Sequence, residues 1–181
     1  MSDAGFHTVV LRTGELSFSG RTSQIPPDLG YYLAGLADGE GCFVIAPTRT
    51  GYTCAFVVHM RGDDRPLLER LQRETGLGGL YRGRTRKQPD GHPSARWAIQ
   101  TTSDCATLVR IFDQYPLRSK KARDFAIWRE AVRAQTRHDW PRVGDLYVTL
   151  KELRPYSGDD ETVFGLPPDD QLELEVSDLT A

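Results

Sequence analysis

Leu33-Ala34-Gly35-Leu36-Ala37-Asp38-Gly39-Glu40-Gly41, followed at once by Cys42-Phe43-Val44-Ile45-Ala46, is the stretch that decides the fold. Its first half mixes leucines with small residues in one short helical segment. Small side chains let two helix backbones come close together. Two carboxylates set among three glycines follow, and glycine lets a chain leave a helix abruptly. The next five residues read as a strand. One segment is therefore expected to join two subunits through Leu33, Ala34, Gly35, Leu36, Ala37 and Asp38. It would present an acid from each subunit at the contact point.

Upstream, Pro26-Pro27-Asp28 is a helix-start signal. It predicts a first helix over residues 29–38, ended by Gly39 and Gly41. Downstream, strands are expected at 42–48 and 52–61, joined by an Arg49-Thr50-Gly51 turn. Asp63-Asp64-Arg65-Pro66 places acids and proline where a second helix begins. Leu67, Leu68, Leu71 and Thr75 give that helix an apolar face, and Gly76, Gly78 and Gly79 stop it. A second strand pair, 80–87 and 95–102, is joined by Gln88-Pro89-Asp90-Gly91-His92-Pro93, which is turn chemistry throughout. Ser103-Asp104 caps a third helix to about residue 115, broken by Pro116. Ser119 caps a last strong helix to about residue 137. The order α-β-β-α-β-β-α-α predicts an α+β fold, a four-stranded antiparallel sheet with helices on one face and the other face open.

That order and those residues resemble the LAGLIDADG homing endonucleases. Leu33, Ala34, Gly35, Leu36, Asp38 and Gly41 agree with the motif as spelled, Glu40 replaces its second Asp conservatively, Gly39 is a common variant and Ala37 takes an apolar position. Further landmarks are Gly76-Leu77-Gly78-Gly79-Leu80-Tyr81 at the third strand and Tyr115-Pro116-Leu117-Arg118-Ser119-Lys120-Lys121-Ala122 before the last long helix. The resemblance covers about residues 28–137 and implies an αββαββα core. With a single motif it implies a homodimer, and closed two-fold symmetry then predicts a near-palindromic duplex DNA site. The implied reaction is divalent-metal-dependent hydrolysis of both DNA strands, by a protein of a mobile genetic element.

Composition bounds these expectations. The 181 residues suit one domain over 26–144, with a loose leader over 1–25 and an acidic, largely disordered tail over 145–181. One further short helix fits at 146–153. No apolar run approaches the roughly 18 residues a spanning helix needs. Residues 1–24 hold no apolar signal core, and three widely spaced cysteines form neither a disulfide framework nor a zinc site. A reducing, cytoplasmic setting is expected. The net charge of −2 conceals an asymmetry. Residues 1–144 carry 21 Lys and Arg against 15 Asp and Glu, whereas 145–181 carry 2 against 10. A phosphate backbone meets the basic body, since local field rather than overall charge governs its approach. Residues 159–178 could lie over that body and weaken non-specific DNA binding, or simply solubilise the chain.

The chemistry is assigned residue by residue. Hard divalent ions, Mg²⁺ or Mn²⁺, bind carboxylate, carbonyl and phosphate oxygens. By the resemblance, Glu40 is the metal carboxylate and the Gly39 carbonyl a second ligand. Asp38 is expected to bond local backbone amides rather than metal. Lys120, or its neighbour Lys121, matches a basic position near the family's active site and would stabilise developing charge. The best register puts Met60 where the family often has Gln, with His59 and Arg61 as substitutes. Arg49, Tyr81, Arg82, Arg84, Arg86, Lys87, Arg96 and Gln100 complete the expected DNA contacts. If Leu80 points to the core, Tyr81, Thr85 and Lys87 face DNA more readily than Arg82 and Arg84. Two other functions fit the sequence, a non-catalytic DNA-binding regulator of the same fold and an RNA-binding intron maturase.

Overall fold

A computed structural model describes residues 25–83 and 94–154. The elements are α1 (Pro27–Glu40), β1 (Gly41–Thr48), β2 (Gly51–Arg61), a 3-10 turn (Gly62–Asp64), α2 (Arg65–Thr75), β3 (Gly79–Gly83), β4 (Ser94–Ile99), α3 (Thr102–Gln114), α4 (Lys121–Thr136) and α5 (Trp140–Glu152). The strands form one antiparallel sheet in the order β1-β2-β4-β3. Both hairpins are present, and their second strands meet at the centre.

Strand alternation divides the sheet into two faces. Phe43, Ile45, Cys54, Phe56, Val58, Trp97 and Ile99 point to one side, into the core built with residues from all five helices. Phe43 lies at its middle, with ring centroids 5.2 Å from Phe56, 5.6 Å from Phe125 and 5.3 Å from Trp128. The Trp97 indole donates to the Leu77 carbonyl (2.9 Å) and the Trp128 indole to the Val44 carbonyl (3.1 Å). Buried tryptophans thus keep a hydrogen-bond partner, and Trp128 covers the outer edge of β1. The other face carries a small cluster, Val44, Ala55, Val57 and Ala98, to which no described helix contributes. The open face expected from the sequence is this one.

Three boundaries differ from the sequence reading. Gly39 does not end α1, which runs through Glu40 and passes into β1 at Gly41 without a loop. A Cβ at Gly41 would lie 2.7 Å from the Phe56 ring and 2.8 Å from the Ala37 backbone, so glycine allows the helix to turn tightly against β2. The fourth strand ends at Ile99, short of residue 102. The last helix begins at Trp140, with the Asp139 side chain accepting from the Arg142 N–H. Val143, Leu146 and Leu150 bury its inner face in the main core. A boundary at 144/145 therefore falls inside a packed helix. The proposed leader up to 24 and the tail beyond 154 lie outside the described residues.

Candidate active site

The site is built where α1 ends. The last carbonyls of a helix have no helical N–H left to bind them, and they carry the negative end of the helix dipole. A cation is favoured there. Glu40 is the final residue of α1; it is exposed, and among the described residues its carboxylate has no hydrogen bond or ion pair. The Gly39 carbonyl beside it accepts a hydrogen bond from Lys121 Nζ at 2.8 Å. Lys121, the first residue of α4, reaches the motif, whereas Lys120 is exposed with no side-chain partner among the described residues.

Asp38 fixes the geometry. Its Oδ2 accepts from the Arg118 N–H (2.8 Å), and its Oδ1 accepts from the Ser119 N–H (3.1 Å) and hydroxyl (2.7 Å). The Ser119 hydroxyl in turn accepts from the N–H of Lys121, the first residue of α4 (3.1 Å); the N-cap itself is Lys120, one residue later than expected, and its side chain makes no cap bond. Partial burial pushes the Asp38 carboxyl up, but the bonds from Arg118 and Ser119 and the charge of Lys121 together hold it below the usual carboxylate range. Asp38 thus bonds backbone amides, though distant ones, and is tied inside its own chain.

The interface expected from the motif divides in two. Leu33, Ala34 and Ala37 are 2%, 5% and 0% exposed and pack in the chain's own core, because a nine-residue helical segment winds through both faces. They are not available to a partner. Gly35 and Gly39 point outward, and a Cβ at either would meet nothing within 4 Å. Leu36 is half-buried beside them. Tyr31 and Tyr32, 58% and 46% exposed, share this outer side. The sequence reading missed both, although their spacing to Gly35, Leu36 and Gly39 is helical.

Gly41 pairs with Val58, so the His59–Arg61 end of β2 lies at the same end of the sheet as Glu40. His59, Arg96 and Tyr81 stand side by side across β2, β4 and β3 on the open face. The Arg96 guanidinium lies 4.9 Å from the Tyr81 ring centroid, a cation–π contact, and no described carboxylate pairs with it. Desolvation, then the nearby Arg96 charge, lowers the His59 pKa. Arg61 is held by Asp63 (3.0 and 3.2 Å) in an exposed pair, the kind that gives way readily to a stronger anion. Arg49 is exposed in the β1–β2 turn.

Other expected contacts do not share that face. Arg82 alternates with Tyr81 and pairs with Ala95, placing it on the side of Leu80 and off the open face. Gln100 has its amide nitrogen buried without a described partner, so that donor is not presented outward. Met60 packs against the main core rather than standing among polar groups. Thr85, Arg84, Arg86 and Lys87 lie outside the described residues. A cation the sequence reading did not use comes close instead. Arg154, after α5, donates to Asp124 of α4 (2.7 and 3.0 Å) and lies 4.0 Å from Cys42 Sγ. Burial raises the Cys42 pKa, against the pull of Arg154 and Lys121.

The arrangement fits a hard cation in part. One chain offers a partnerless carboxylate and a carbonyl that already binds a cationic group, while no described cluster joins three or more His, Cys, Asp or Glu. Comparison with known proteins identifies the architecture. Residues 33–132 match the LAGLIDADG endonuclease family, and the chain belongs to it. It is 27% identical over 111 residues to an uncharacterised 50.9 kDa protein in ND4 intron 1 of Podospora anserina, covering 56% of this chain and 23% of that protein. It is 24% identical over 105 residues to a probable intron-encoded endonuclease, Cox1-I1b, of Schizosaccharomyces pombe, covering 55% and 26%. The chain thus spans about a quarter of the length of these relatives. Among solved structures, the meganuclease I-AabMI bound to uncleaved DNA superposes with a TM-score of 0.57 at 27% identity, over 67% of this chain and 43% of that one. The homing endonuclease I-TnaI gives 0.58 at 21% identity, over 74% and 92%, a likeness of fold.

Proposed function

We propose that the chain is a site-specific, metal-dependent endonuclease for double-stranded DNA, working as a homodimer on a near-palindromic site. The observation that carries this reading is the free Glu40 carboxylate at the end of a helix whose outer side is lined by Gly35 and Gly39. Nothing among the described residues requires glycine there, and alanine is the better helix former by about 0.5–1 kcal/mol. A second α1 crossing at these positions supplies a reason. It would also bring a second Glu40, whose carboxylate together with a DNA phosphate oxygen would suit a hard divalent ion.

In this reading the Glu40 carboxylate and Gly39 carbonyl hold the ion. When bound, Mg²⁺ or Mn²⁺ supplies Lewis-acid stabilisation of the phosphate and lowers the pKa of water. Lys121 and the exposed Lys120 add positive charge beside the reacting phosphate. Arg49, His59, Arg61, Tyr81 and Arg96 bind DNA on the open face, where a two-stranded ribbon suits the major groove. Asp38 positions Lys121 through Ser119. The test is selection from a randomised duplex library with Mg²⁺, using Glu40→Gln in parallel. Cut, two-fold-symmetric sites that disappear with Glu40→Gln are expected. Enrichment by binding alone, equal in both proteins, would support a second reading, a DNA-binding protein without cleavage. The apolar setting of Met60 is what favours that alternative.

A further inference from the structure

We propose that the Lys121 ammonium is a resident counter-ion of the metal site, occupying the Gly39 carbonyl until a divalent ion displaces it. This rests on the metal reading of Glu40 and Gly39 given above. The ammonium binds the carbonyl at 2.8 Å and makes no ion pair with the adjacent Glu40 carboxylate. It has therefore settled at the helix end, where unpaired carbonyls and the dipole favour positive charge. Its residue is anchored to the same turn by a second route. The Lys121 N–H is held by the Ser119 hydroxyl, which Asp38 holds. The backbone is fixed while the four-carbon stem is free to swing.

An ion that takes the carbonyl as ligand must expel the ammonium, because two cations repel at that separation. The exchange has two consequences. Lys121 lowers the metal affinity of the protein without DNA, opposite to a supporting ligand residue. Metal binding sets its ammonium free, and by reciprocity the two effects are equal in size.

The experiment measures Mn²⁺ uptake without DNA, from the loss of the free-ion paramagnetic resonance signal. Wild type, Lys121→Met, Lys120→Met and Glu40→Gln are compared. Lys121→Met should bind Mn²⁺ about tenfold more tightly, the scale of a charge-assisted hydrogen bond removed. Lys120→Met, which deletes the same charge one residue away, should stay within about twofold. A second measurement needs no variant: acetylation of Lys121 by a small acylating reagent, quantified by mass spectrometry, should rise on adding Mn²⁺ while Lys120 stays constant. Equal affinity in Lys121→Met and wild type, weaker binding, or equal tightening in both lysine variants would overturn the exchange. So would acetylation insensitive to Mn²⁺. If Glu40→Gln removes Mn²⁺ binding in these cases, the metal reading survives and only the exchange fails. Uptake unaffected by Glu40→Gln would overturn both, and no uptake by any of the proteins without DNA would overturn the exchange alone.

Discussion

The carboxylate of Asp38 and the hydroxyl of Ser119, 2.7 Å apart, join the end of α1 to the start of α4 across 81 positions of sequence. With the two backbone amides beside it, this bond makes Asp38 the fastener of the site.

Asp38→Asn should therefore destabilise the fold at neutral pH by about 1–3 kcal/mol, the range for an impaired charged hydrogen-bond set. The folded pKa of Asp38 lies below the ordinary value, so its contribution is present above the ordinary carboxylate pKa. It is lost as pH falls through the folded value. Urea melts at pH 7 and pH 3 should show the gap between wild type and Asp38→Asn narrowing in acid. A constant gap would place the effect in packing.

The glycines of the motif should separate by function. Gly41→Ala drives a methyl into Phe56 and the Ala37 backbone and should lower the melting temperature markedly. Within the monomer Gly35→Ala has open space and should leave the fold's stability unchanged or raised by about 0.5–1 kcal/mol of helix propensity. If α1 packs on a second copy, Gly35→Leu should instead shift sedimentation from dimer to monomer with the monomer fold intact. A dimer unaffected by leucine at 35 would exclude this interface.

His59 gives a pH signature. Its folded pKa is lowered, so the neutral form is favoured and its contribution to stability is full above about pH 6.5, weakening as pH falls toward the folded value. DNA phosphate favours the charged form. Duplex affinity at fixed salt should rise between pH 7.5 and pH 6, with proton uptake on binding, and His59→Gln should flatten the profile. Arg96→Ala should weaken binding at every pH and reduce the salt slope by about 1.

Truncation should locate the true end of the packed unit. Ending the chain after residue 154 keeps Val143, Leu146 and Leu150 in the core; ending it after 144 removes the two leucines. Each buried leucine contributes about 1.5–3 kcal/mol, against a whole-domain stability of about 5–15 kcal/mol. Circular dichroism melts should show the first truncation folded and the second severely destabilised.

The strands and their two hairpins were legible because apolar runs such as Phe43-Val44-Ile45 and turn residues such as Arg49-Thr50-Gly51 are local signals. What escaped depends on contacts distant in sequence. Neither Lys120 nor Lys121 has a local preference that selects the Gly39 carbonyl; the phase of α4, set by Ser119 on Asp38, does. The inward turn of Leu33, Ala34 and Ala37 escaped because alanine and glycine give α1 little contrast between its sides. The start of α5 escaped because Asp139-Trp140-Pro141, a sound helix start, follows the end of α4 at Thr136 after only a short break.

Because α1 enters β1 at Gly41 with no intervening loop, the acid and the reading surface share one rigid frame. The outward residues of the strands take no part in the bonds that hold Asp38, Ser119 and Lys121. On the proposed reading, such a chain can exchange the letters it recognises one at a time, through drift at positions such as His59 and Arg96, while the geometry of cutting is inherited unchanged.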